Sequence, residues 1–186
     1  MKARIALATL LIAVPAGMAS AQGPLQGTVS IDGSVAGRCV LGSPSQAAVP
    51  LGVLIDTAGP RAGRLRPIAA QTINFPGSWC NFANTRISVS ANAILAADAT
   101  APSAGFARAV NFTSTVTNWA ASNAAVTTAA SAGGGTAAAT GNGGSNPAPK
   151  LADLTMTLNN FAVPSDLLLV TGNYAGAVTI TLGPAS

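Results

Sequence analysis

The chain has 186 residues, with nine basic and five acidic side chains, no histidine and 4% aromatics. Its length suits one domain. Setting aside Lys2 and Arg4 of the leader leaves seven basic against five acidic residues, a charge of +2. That is too little for an electrostatic footprint on nucleic acid or a membrane surface.

The first 21 residues read as a secretory signal peptide. Lys2 and Arg4 form a short basic region, Ile5 to Val14 an apolar core too short to span a bilayer, and Ala19-Ser20-Ala21 a small-x-small cleavage site. The mature chain then begins at Gln22 and is expected to be exported through the inner membrane. No later apolar run is long enough to span a bilayer, so no stable membrane insertion is expected. In an oxidising compartment, the two cysteines Cys39 and Cys80 predict a disulfide.

The first mature stretch alternates. Leu25, Val29, Ile31 and Val35 fall on one parity against Gln26, Thr28, Ser30, Asp32 and Ser34 on the other. Period two is the signature of a strand with one apolar face, and a first strand is predicted over 27–35. Residues 38–41 can continue it past a bend at Gly37. Val49 to Ile55 is a second apolar segment, interrupted by Pro50 and Gly52. A loop rich in Gly, Pro and Arg follows at 56–67. Arg61, Arg64 and Arg66 in that loop read as solvent-exposed.

Short strands are predicted at 71–75, ended by Pro76-Gly77, and at 86–91. Ala93 to Ala101 is nearly all alanine and reads as a brief helix or a loop. Residues 109–117 alternate again, as do 151–158. Between them, 120–149 contains almost only Ala, Ser, Thr, Gly and Asn. Its centre, 131–146, offers little to bury and is expected to be a mobile loop. The last stretch, GNYAGAVTITL from Gly172 to Leu182, is the clearest strand signal. Tyr174, Val178, Ile180 and Leu182 share one parity.

Seven or eight short strands with frequent turn signals predict an all-β fold, an immunoglobulin-like antiparallel β-sandwich over 22–186. A closed β-barrel is the alternative.

The search for chemistry finds little. Without histidine or glutamate the usual general bases are missing. The aspartates at 32, 56, 98, 153 and 166 lie far apart, near turns, where Asx-turns and capping explain them. Gly133-Gly134-Gly135 is not followed by a Gly-Lys-Ser/Thr phosphate signature. No catalytic residue, metal site or cofactor is expected. Trp79 and Trp119 are candidate stacking platforms for a glycan, the basis of an alternative reading as a monomeric secreted or periplasmic binding module.

Four features in order carry a resemblance. They are the alternating stretch Gly27 to Val35 running into Cys39-Val40, then Val49-Pro-Leu-Gly52, then Cys80 after a later strand, and finally Leu169 to Leu182 near the C-terminus. Together they resemble the pilin subunits assembled by the chaperone–usher pathway, and are similar to the spore coat protein U group of its archaic branch. The resemblance implies an incomplete sandwich that lacks one strand, and a role as a structural subunit of a surface fibre in cell adhesion. Residues 22–35 would donate a strand through Leu25, Val29, Ile31 and Val35. Tyr174, Val178, Ile180 and Leu182 would line the acceptor edge. The implied partners are neighbouring subunits of the same fibre, a periplasmic chaperone and an outer-membrane usher.

Overall fold

The computed structural model describes residues 26–97, 100, 102–135 and 138–185. The expected signal peptide and Leu25 lie outside the described residues. Two units are distinguished, one ending at Val35 and one beginning at Ala36.

In the first unit, residues 26–35 belong to no strand. The strand expected over 27–35 therefore has no ladder partner here. The reason is visible in its sequence. An alternating stretch buries one face only when a neighbouring sheet supplies the other half of the core, and an isolated strand has neither. Val29, Ile31 and Val35 are 85%, 93% and 88% exposed.

The second unit is an antiparallel β-sandwich. Its main strands are β1 (Cys39–Val40), β2 (Gln71–Cys80), β3 (Thr85–Ala96), β5 (Ala109–Thr117), β8 (Lys150–Ala162) and β10 (Tyr174–Pro184). They follow one hydrogen-bonded path, β1-β2-β8-β5-β3-β10, which folds over so that both layers share one core. The remaining elements are β4 (Phe106–Ala107), β6 (Ala124–Thr127), β7 (Ala139–Asn142), β9 (Leu168–Leu169) and two short 3₁₀ turns at Gly59–Arg61 and Pro164–Asp166.

Alternation builds the core. Ile87, Val89 and Ala91 of β3, Val110, Phe112 and Val116 of β5, and Leu154, Met156 and Leu158 of β8 all point inward. In β2 the inward parity switches. Ile73 and Phe75 are buried, and then Ser78 and Cys80, because the register against β8 shifts between Phe75 and Ser78. Pro76 and Gly77 form this bulge, where a missing ladder donor is tolerated. The Gly77 amide donates instead to the Asp153 carboxylate at 2.8 Å. The bulge turns Cys80 inward opposite Cys39, and the two form the disulfide.

Two other expectations need correction. In the alanine-rich stretch 93–101, expected as a brief helix or a loop, Ala93 to Ala96 belong to β3. The stretch 131–146, expected as a mobile loop, carries strand β7. Where β3 and β5 part company after Val110, each leaves an edge open; β6 pairs with β5 and β7 pairs with β3, covering both edges. Small residues suit this place because the layers come very close. A Cβ at Gly141 would lie 1.8 Å from the carbonyl oxygen of Ala125. Composition alone showed no side chains to bury. It could not show that the backbones themselves pack.

Candidate functional site: an apolar groove between two rims

The opposite side of the sandwich stays open. β10 pairs with β3 along one edge only, and its other edge has no ladder partner among the described residues. Facing it, the chain after β1 continues through 41–55 without a strand of more than a bridge. The main-chain amides of Val49, Leu51 and Val53 donate to no backbone carbonyl among the described residues. The amides of this rim and the outer main-chain groups of β10 are thus available to a further strand.

Between the rims lies a groove of about 920 Å³ that reaches into the core. Phe75 of β2, Phe112 of β5, and Met156 and Phe161 of β8 form its floor. Val49 and Leu51 line one rim, Tyr174, Val178 and Ile180 the other. Leu182, the fourth residue expected on this edge, packs half-buried against the core but does not line the groove. Val178, Ile180 and Leu182 share a parity because β10 alternates, with its one irregularity between Ala175 and Ala177.

Polar side chains on the groove are few: Gln46, Thr171, Asn173 and Tyr174. The Tyr174 hydroxyl donates to the Val170 carbonyl at 2.8 Å. Burial pushes the Tyr174 phenol above its ordinary range, with the Arg108 charge pulling the other way. In the loop expected to be exposed, Arg61 and Arg64 both reach Asp166, at 3.1 and 3.2 Å. Hydrogen bonding from Arg61 holds the Asp166 carboxyl below the usual carboxylate range.

The structure moves Trp119 out of the candidate ligand platforms. It is 3% exposed, its indole N–H donates to the Thr85 carbonyl at 3.3 Å, and Lys150 Nζ sits 5.7 Å over its ring. A ring covered in this way cannot stack on a sugar. Trp79 is half-buried opposite Val40.

Sequence reading missed the segment 41–55 as a rim. Its only signal was an apolar run broken by Pro50 and Gly52, residues that prevent regular pairing. Among the described residues, no helix is long and apolar enough to cross a membrane, and no group of three His, Cys, Asp or Glu could hold a metal ion. No family model, curated protein or solved structure matches the chain.

Proposed function

We propose that this protein is a structural subunit of a bacterial surface fibre, polymerised when residues 22–35 of one copy enter the groove of the next. The observation that carries this reading is an unfinished slot in a chain whose exposed, alternating stretch 26–35 belongs to no strand. The slot has apolar floor residues and, on its rims, main-chain groups available to a further strand. The stretch 22–35 is long enough to run the length of β10, whose free edge it would pair and which has eleven residues.

Strand addition combines main-chain hydrogen bonds with side chains inserted at alternate positions. Val29, Ile31 and Val35 supply that alternation and stand exposed. Burying each contributes about 1.5–3 kcal/mol before the cost of association. Until a neighbour arrives, the same groove would need cover during export, the task of a periplasmic chaperone, with an outer-membrane usher delivering subunits to the surface. The resemblance described above points the same way. The protein has no enzymatic role in this reading.

The test is an unboiled denaturing gel of the mature protein beside a boiled sample. A ladder that collapses to one band on boiling is expected, because strand-exchanged fibres dissociate slowly. Deleting residues 22–35 should remove the ladder. A single band in both lanes from the intact protein, or a ladder from the truncated one, overturns the proposal.

A further inference from the structure

Resting on the strand-capture reading, we infer that Arg66 is the positioning residue that holds the groove open. One rim of the groove, 51–54, is paired main chain to main chain only at its end, where Ile55 bridges Leu65. Along the rest, Arg66 takes the place of a neighbouring strand. Its Nη2 donates to the Leu51 carbonyl at 2.8 Å and its Nε to the Val53 carbonyl. Its main-chain amide donates to the Leu54 carbonyl at 2.9 Å.

The side chain therefore satisfies two carbonyls of the rim, Leu51 and Val53, while the main-chain bond to Leu54 belongs to the bridge and remains when the side chain is replaced. Gly52, between Leu51 and Val53, has φ +68°, a left-handed conformation that favours glycine, and the chain turns there so that both flanking carbonyls reach one guanidinium. The other two arginines of the same loop are engaged elsewhere, on Asp166. Leu51 lines the groove, so the carbonyl that Arg66 grips belongs to a residue that an incoming strand would touch. The grip depends on the planar fork of the guanidinium, which donates in two directions at once. The lysine ammonium, a point charge on a flexible stem, lacks that preorganised fork and holds two carbonyls less firmly.

Arg66 thus acts on capture through the rim, with no contact of its own to the donor required. Removing it leaves the sandwich core intact and lets the rim relax over the floor. Capture of a strand then slows and its release quickens.

The experiment compares the mature chain with Arg66→Met and Arg66→Lys, using Arg64→Met as a control within the same loop. The probe is a synthetic peptide of residues 24–36 carrying a fluorophore. Two readouts are taken: peptide uptake and release, and amide hydrogen exchange without peptide. Both Arg66 variants should weaken peptide capture by about ten- to hundredfold, the range for lost hydrogen bonds from a charged donor. Exchange should rise at 49–55 and stay unchanged in β3, β5 and β8, while Arg64→Met behaves like the parent.

Parent-like peptide capture by either Arg66 variant, or unchanged exchange at 49–55, overturns the inference. If the parent itself takes up no peptide, the strand-capture proposal falls and Arg66 loses its role in capture with it. The exchange readout still decides whether Arg66 holds the rim.

Discussion

Phe112 and Phe161 stack with ring centroids 6.0 Å apart and planes 28° apart. They come from β5 and β8 at the place where the register of the two strands shifts, between Asn111 and Thr113. Along β8 the inward residues are Leu154, Met156 and Leu158. An odd position such as 161 would face outward in a regular strand. The extra residue of the irregularity turns Phe161 back toward the core, where it meets Phe112 on the groove floor. The groove is thus floored by residues that regular alternation would have separated.

Rim and floor should respond differently to substitution. Leu154 is fully buried, and Leu154→Ala should cost about 2–5 kcal/mol in urea unfolding. Val178 and Ile180 are only half-buried at the groove. Val178→Asp and Ile180→Asp should therefore keep a cooperative unfolding transition yet abolish the ladder on an unboiled gel. A ladder surviving both would show that this rim takes no part in association.

The glycine-packed side should be intolerant of the smallest side chain. At Gly141, an added methyl would collide with the Ala125 main chain, so Gly141→Ala should separate β7 from β6. We expect a loss of about 1–3 kcal/mol, in the range of overpacked sites. A Cβ at Gly27 meets nothing, and Gly27→Ala should leave the stability of the sandwich unchanged. Thermal unfolding of the two variants side by side checks both statements.

Reduction should loosen the start of the 41–55 rim. The disulfide ties Cys39, just ahead of that segment, to Cys80 at the end of β2. Closing a loop of this length contributes about 4 kcal/mol in the chain-entropy model. Cys39→Ser with Cys80→Ser should lower the urea midpoint by a corresponding amount. It should also raise amide exchange at 41–49 before the core strands respond.

Tyr174 offers an optical reading of the groove, because it is the sole tyrosine of the chain. Its folded pKa lies above the ordinary value of about 10, chiefly because burial disfavours the phenolate. The sign of the linkage follows. The neutral phenol is the form the fold prefers, so its contribution is complete below the unfolded pKa and is lost as pH rises through the folded one. Phenolate absorbance should therefore titrate above pH 10 in the folded protein and return to about 10 in urea. Adding the peptide of residues 24–36 should raise the midpoint further by burying the ring more deeply.

Much of the sandwich was legible because its strands alternate: β3, β5, β8 and β10 were visible in the parity of Ile87 and Val89, Val110 and Phe112, Leu154 and Met156, Val178 and Ile180. What alternation cannot tell is whether a strand has a partner. Residues 27–35 carry the same pattern as 174–182, yet only the second stretch is paired. That β10 is a strand was therefore foreseeable. The half of the groove formed by 41–55 was not, because its shape depends on a side chain fifteen residues away, from Arg66 to the Leu51 carbonyl. Nor did the low-complexity stretch reveal β6 and β7, whose packing rests on how closely main chains can approach rather than on apolar side chains.

The closure of one side by β6 and β7 also has a consequence for valency. With the β3–β5 side covered, the free edge of β10 and the rim opposite it bound one slot among the described residues, and in the proposed fibre residues 22–35 are the one arm. A unit with one slot and one arm of different kinds joins others head to tail, through a heterologous contact. Growth from such units is unbranched. A copy that lacks the arm, or whose slot is already filled, ends the chain.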